Sequence, residues 1–331
     1  MRVEWLEQPT LDDLAPAAAL LTEWQREVLG DDEPPMPPEQ LVEEVVETPP
    51  HREGSILIAL DDGDLVGVAT LLCDDLQGRQ QEAETQALVV AADHRGRGIG
   101  RRLLETVAQR CRERGRDRLV GYSPLTDRAS TAFAERLRAE RGIVDQQNRA
   151  AVEDIDRDLL ERWVARASER AAAYSLVRFD GVCPDDLLVP LTTISLSMNT
   201  APRRESREDI VPSPEQIRER QEAMRKNGQE FWTVAARHDA SGELAGFTEL
   251  GFPPYLTWLA WQGDTGVDPA HRTRGLGRWL KAVNALRLLD EKPAVTHIET
   301  WNADVNAPML SINRAMGFRT VARYQEWELL L

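Results

Sequence analysis

Lysine is almost missing from this chain of 331 residues: Lys226, Lys281 and Lys292 stand among 40 basic residues, so nearly all positive charge is arginine. No lysine or hydroxyl residue follows the glycines at Gly100 or Gly277, which excludes a GxxxxGK[ST] nucleotide loop at either place. Cysteine is as scarce. Cys73, Cys111 and Cys183 are odd in number and lack metal or redox spacing, so they indicate neither a disulfide framework nor a cysteine metal site, and free thiols in a reducing compartment are expected. No apolar run approaches the ~18 residues of a membrane helix, and the start, MRVEWLEQPTLDDL, lacks a basic segment followed by an apolar one. A cytoplasmic protein with no membrane partner is expected. Net positive charge is lacking too: at −16, with a pI near 4.9, the average field repels a polyanion, so nucleic acid is not an expected partner.

What the chain does contain is a repeat. VVAADHRGRGIGRRL, from Val89 to Leu103, returns as GVDPAHRTRGLGRWL, from Gly266 to Leu280, 177 residues later. A spacing this long means repeated domains, because solenoid units run at roughly 20–50 residues. The flanks agree. Each half reads as two helices (Leu11 to Leu29 and Pro38 to Val46; Asp185 to Met198 and Ser213 to Lys226) followed by three apolar runs of strand length. These are SILIAL, LVGVATLLC and ETQALVV in the first half, and FWTVAAR, LAGFTELGF and YLTWLAW in the second. After each repeat come an amphipathic helix, a short strand (RLVGYS or THIETW), a helix (Arg128 to Arg141, or Val305 to Met316) and a terminal strand. The expected division is residues 1–158, a helical linker 159–173, and residues 174–331.

A strand that turns through glycines into a helix aims free backbone N–H groups at one spot. The helix N-terminus adds partial positive charge, and arginines add charge-assisted hydrogen bonds. A pyrophosphate suits this cradle. In the first half it comprises Arg95, Arg97, Gly98, Gly100 and Arg101; in the second, Arg272, Arg274, Gly275, Gly277 and Arg278. The dinucleotide fingerprint GxGxxG fits less well, since these loops read RxxGxG and follow a meander of strands.

The RxxGxG loops, Arg95 to Gly100 and Arg272 to Gly277, resemble the acetyl-coenzyme A pyrophosphate loop of the GNAT superfamily of N-acetyltransferases. TWNADVNAPMLSINRAMGF, Thr300 to Phe318, resembles that family's strand, Asn-containing helix and closing Gly-Phe. The tandem arrangement is similar to double-domain members such as mycothiol synthases. The resemblance implies an α+β fold of two tandem acyl-CoA N-acyltransferase domains, each a mixed, mostly antiparallel sheet flanked by helices. It implies an N-acetyltransferase with acetyl-CoA as co-substrate and a small-molecule or peptide amine as acceptor, attacking the thioester directly.

Site residues follow from the same resemblance. Val90 and Val267 mark the strand ends whose backbone meets the acetyl and pantetheine groups. A family glutamate lies six residues before that valine. It is Glu84 in the first half, but Trp261 in the second, leaving Asp264, Glu249 or Glu299 as candidate bases acting through water. The family's tyrosine acid, seven residues after the helix Asn306, is replaced by Asn313, which can hold the sulfur or pantetheine but cannot act as an acid; Tyr324 is a weak substitute. In the first half Ala129 falls opposite Asn306. His94 and His271 sit at the turn and read as surface or capping residues. The missing tyrosines also admit a non-catalytic acyl-CoA-binding sensor or structural module. The segment from Met198 to Pro214 reads either as a lid or as a surface loop.

Overall fold

The structure, a computed structural model, describes residues 1–331, the side chain of Ser168 excepted. In chain order the elements are β1 (Arg2–Leu6), α1 (Leu11–Leu29), α2 (Pro38–Leu41, running on into a π turn at Val42–Val46), β2 (Arg52–Asp61), β3 (Asp64–Asp74), β4 (Glu82–Thr85), β5 (Leu88–Val90), α3 (Ile99–Glu113), β6 (Arg118–Pro124), α4 (Arg128–Arg136) and β7 (Glu140–Ala151). There follow α5 (Arg157–Arg170), β8 (Tyr174–Asp180), α6 (Asp185–Ser195), α7 (Pro214–Lys226), β9 (Glu230–His238), β10 (Leu244–Phe252), β11 (Leu259–Val267), α8 (Leu276–Glu291), β12 (His297–Ala303), α9 (Ala307–Ala315) and β13 (Arg319–Leu330).

Two compact units result. The first comprises Met1–Asp145, Arg204–Glu208 and Ala322–Leu331; the second comprises Gln146–Arg203 and Asp209–Val321. In the first, strands run in the order β1-β2-β3-β4-β6-β13, and β5 pairs with β3. All pairs are antiparallel except β4 with β6. Alternation along β2 covers both faces: Ile56 and Ile58 meet Leu14 and Leu21 of α1, whereas Leu57 and Ala59 meet Leu103 and Val107 of α3. In the second unit β8, β9, β10, β11 and β12 are neighbours in that order, with β7 beside β12. Leu187, Leu191 and Ile217 of α6 and α7 cover Phe247 on one face. On the other, Leu160 and Trp163 of α5 join Ala282, Ala285 and Leu288 of α8 over Leu250 and Ile298. Each fully buried leucine of these layers contributes about 1.5–3 kcal/mol of transfer free energy.

The two-domain α+β architecture agrees with expectation, but four details differ. First, β1 and β8 were not anticipated: RVEWL is short and charged at alternate positions, with Val3 and Trp5 packing on one face of the core and Leu6 on the other. Second, α5, expected as a linker over 159–173, is part of the second unit, because Leu160 and Trp163 are core residues. Third, the chain's last strand contributes Ala322–Leu331 to the first unit, where Leu329 and Leu331 pack on its core. Fourth, α4 ends at Arg136, with Arg138 in a left-handed conformation, φ 57°.

Lys281 lies in this interior at 1% exposure, its ammonium 5.8 Å from the Phe318 ring centroid. Burial pushes its pKa down to about 7. The unfolded chain binds this proton up to about pH 10 and the folded one only to about 7, so its contribution makes stability rise with pH across that window. Lys281→Met is therefore expected to remove a rise of up to ~4 kcal/mol between pH 6 and pH 10. Urea unfolding of both proteins at several pH values measures the difference.

Candidate functional site

In each unit one strand parts from its parallel neighbour just before the glycine loop. β4 pairs with β6 from Glu82↔Arg118 to Thr85↔Gly121. A bulge follows, held by the Thr70 hydroxyl, which accepts from the amides of Gln86 and Ala87 at 3.0 and 3.1 Å. Beyond it β5 pairs with β3 alone. Thr70 donates to the Ala87 carbonyl and Ala91 donates to the Val66 carbonyl, each at 2.9 Å, so alternation turns the amides of Leu88 and Val90 toward the side that β6 has left. The second unit repeats this geometry. β11 pairs with β12 only over Leu259–Trp261, then runs on against β10 through an irregularity spanned by Gln262, whose side chain donates to Thr248 Oγ1 and the Glu249 carbonyl. Asp268 donates to the Ala245 carbonyl, which leaves the Val267 amide facing away from β10, as the Val90 amide faces away from β3.

The loop beyond each strand is fixed by an arginine. Arg95 Nε donates to the Val90 carbonyl at 2.9 Å and Arg272 Nε to that of Val267 at 3.2 Å. The remaining donors of Arg95 grip Glu27 of α1 at 2.6 and 2.7 Å, and Arg272 also donates to Thr200. Arg95 and Arg272, two of the six arginines expected at the cradles, thus latch the loop in this structure. Arg97 is bonded to the Asp93 carbonyl, whereas Arg101, Arg274 and Arg278 are exposed.

The chain then turns through positive φ at Gly96 and Gly98 (75° and 85°) and at Thr273 and Gly275 (66° and 84°). Gly98 and Gly275 cap α3 and α8 without a side-chain hydrogen bond, and neither first turn contains an acid. Every other helix of eight or more residues among the described residues has a side-chain cap or an acidic first turn. Two helix N-termini thus present unpaired N–H groups and uncompensated positive charge beside a gap in a sheet, which is an arrangement for an anion. Gly100 and Gly277 need no such conformation; a Cβ on either meets its nearest neighbour at 3.6–3.7 Å.

Beside the second cradle Arg166 and Arg170 of α5 join Arg274 and Arg278 around a cleft that includes Trp163 and Gly275. None of the four forms an ion pair among the described residues. The α5 pair was not anticipated, although Trp163, Arg166 and Arg170 recur at helical spacing on one face. His271 Nδ1 lies 2.7 Å from the Tyr174 hydroxyl, and His94 Nδ1 lies 2.7 Å from Asp93, so both histidines are engaged at the turn.

The candidate bases separate by environment. Glu249 of β10 meets Arg220 of α7 at 3.0 Å; burial raises its pKa, Arg220 opposes this and Asp264 adds to it. Asp264 is exposed. Glu299 is 1% exposed and bound by Gln147 at 2.8 Å and Arg149 at 2.7 Å, an internal ion pair. Glu84 has Arg79 at 3.7 Å. Asn306 caps α9 through the Met309 amide, and Asn313 is buried, donating to Asn302 at 2.7 Å. Because Asp127 caps α4 as Asn306 caps α9, Asp127 rather than Ala129 is its structural counterpart; Asn and Asp are interchangeable caps.

Residues 18–138 match the acetyltransferase (GNAT) family model. A tandem GNAT protein from the clavulanic acid biosynthesis pathway, solved without AcCoA, superposes with TM-score 0.77 at 24% identity, covering 99% of this chain and 98% of its own. The chain has a tandem GNAT fold. A GCN5-related N-acetyltransferase from Sphaerobacter thermophilus gives TM-score 0.71 at 15% identity over 98% and 95% of the two chains. A putative acetyltransferase from Pyrococcus horikoshii gives 0.59 at 12% over 99% and 89%. No curated protein matches by sequence. The GNAT match supports acyl transfer from an acyl-coenzyme A as the class of chemistry, and among the described residues no helix is long and apolar enough to cross a membrane.

The two kinds of glycine in the GNAT loop separate by thermal unfolding. Gly275→Ala forces a side chain into the left-handed region and is expected to cost about 1–2 kcal/mol. Gly277→Ala, inside α8 and free of clashes, is expected to be neutral or to gain up to ~1 kcal/mol.

Proposed function

We propose that the chain is an acetyl-CoA-dependent N-acetyltransferase whose second unit transfers the acetyl group to a small-molecule or peptide amine. One observation carries this: in both units a strand turns amides into a gap in the sheet and then ends at an uncapped, acid-free helix N-terminus. An extended, amide-bearing chain ending in a pyrophosphate matches such a ribbon and cradle, pairing along the strand as an added edge would. At the second cradle, Arg166, Arg170, Arg274 and Arg278 give the phosphate-rich end a cationic cleft in a chain of net charge −16. The acidic surroundings favour a cationic acceptor, and Trp301, 44% exposed on β12, offers a ring face to it.

In this reading the acceptor's ammonium first gives its proton to Glu249 through water. The neutral nitrogen attacks the thioester carbon, the Val267 amide donates to the oxyanion, and the C–S bond breaks to release coenzyme A as a thiolate that takes up a proton. Glu249 suits the first step, since its raised pKa makes it a stronger base than an exposed carboxylate. Glu299, paired with Arg149, orders the sheet. The three buried free cysteines support a reducing, cytoplasmic setting.

The second reading, a coenzyme-binding module without transfer, is favoured by Asn313, buried and bonded to Asn302 where an acid would stand. Calorimetry with acetyl-CoA followed by thiol release across an amine panel separates the two; binding without release selects the module, and absence of binding removes both. For the transferase, Glu249→Gln is expected to lower kcat/KM about 10²–10⁴-fold at unchanged coenzyme affinity and to abolish the acid limb, along which activity rises with pH as the base ionises. Arg166→Ala with Arg170→Ala is expected to weaken coenzyme binding at least about tenfold and to flatten its salt dependence, as measured by titration at two ionic strengths.

A further inference from the structure

Glu84 of the first unit does not stand alone. Register places Glu84, Val120 and Glu328 in one row across β4, β6 and β13, with Tyr122 and Glu326 in the next. Glu82, two residues before Glu84, shares their face. The opposite face carries Ala83, Leu119 and Leu329 and packs on α3. A sheet face bearing four carboxylates at its centre requires cations, because a buried carboxylate left unpaired is costly.

The cation at the middle is Arg204. Its side chain is 6% exposed, and its guanidinium is bonded at once to Glu82, to Glu326 and, at 2.8 Å, to Glu328. Ser206 donates to Glu328 at 3.1 Å, and Arg118 donates to the Ser206 carbonyl. Arg79 lies 3.9 Å from Glu82 and 3.7 Å from Glu84, while Arg207 lies 3.9 Å from Glu82. Burial raises the pKa of Glu82 against the pull of Arg204, and burial with the charge of Glu84 raises that of Tyr122. Residues 204–208 therefore belong to the first unit, although the chain before and after them belongs to the second. The face is built for a cation, and the chain supplies one.

We propose that Arg204 is a resident pseudo-ligand: it occupies the place of a cationic acceptor on the acidic face of the first unit, so this unit holds coenzyme without transferring from it. The ligand class that fits the vacated face is an alkylguanidinium or short diamine. This inference rests on the coenzyme reading of the cradles, and the test separates the two.

In the full chain Gly275→Val with Arg274→Glu blocks the second cradle. The blocked protein is expected to bind one equivalent of acetyl-CoA by calorimetry and to release no thiol above background with agmatine or putrescine. Adding Arg204→Ala is expected to create calorimetric binding of agmatine and at least tenfold more thiol release, lost again on Glu84→Gln. Transfer by the blocked parent at a rate within tenfold of the wild type would overturn the proposal. So would an Arg204→Ala protein that still binds coenzyme but gains neither agmatine binding nor transfer. Absence of coenzyme binding in the blocked parent would overturn the cradle reading and the proposal with it. If Arg204→Ala does not fold, Arg204→Gln keeps most of the volume without the charge and faces the same criteria.

Discussion

A backbone amide that leaves a sheet ladder has to find another partner, and in each unit the site follows from that one obligation. The partner strand is lost after Thr85 in the first unit and after Trp261 in the second, while pairing on the other side continues to Val90 and Val267. A bulge tied to Thr70, or an irregularity tied to Thr248 through Gln262, lets the strand part from one neighbour while keeping the other. The last carbonyl is then taken by Arg95 or Arg272, which fixes where the loop starts. Positive φ at two successive alternate residues brings the chain round into a helix whose first amides face the gap. Remove the parting of the strands and the cradle has nothing to face.

Buried carboxylates impose the second constraint, and arginine meets it each time. Arg149 neutralises Glu299, Arg220 meets Glu249, and Arg204 bonds three glutamates together. A guanidinium can satisfy several oxygens at fixed angles, which an ammonium on a flexible stem does less well. Lys281 shows the converse. It is buried with no carboxylate among the groups that shift its pKa, and burial alone drives it toward neutrality. In an acidic chain the arginines left without ion pairs are therefore informative, and four of them surround one cleft at the second cradle.

The cradles were legible in the sequence because every requirement there is local: glycine for positive φ, a helix start, and arginine at fixed spacing. The sheets' central strands were legible because both of their faces are buried. Pairing between distant segments was not. Nothing in RYQEWELL says that it pairs with β6, since its alternation fits any sheet of the right width. Nor does a five-residue edge such as RVEWL stand out when half of it faces water. The helix α5 reads as a charged connector by composition, yet Leu160 and Trp163 sit on one face and lie in the core. Arg204 was invisible for a similar reason: a run of arginines and acids after Met198 looks like a solvated loop until the carboxylates of β4 and β13 converge on it.

The repeat itself shows which part of the duplicated design is rigid. Identity between the halves concentrates in the loop, where Arg95 and Arg272, Gly98 and Gly275 answer to backbone geometry that tolerates few substitutes. The sheet faces answer only to charge balance, and several solutions exist for that. Glu84 corresponds to Trp261 in the repeat, and the row that holds Glu84 and Glu328 in one unit holds Trp261 and Glu299 in the other. Once a face needs only some cation at a suitable distance, the cation can come from a neighbouring strand, as Arg149 does, from a helix, as Arg220 does, or from a loop, as Arg204 does. Two copies of one cradle can thus keep the same anion-binding geometry while their acceptor sides grow apart.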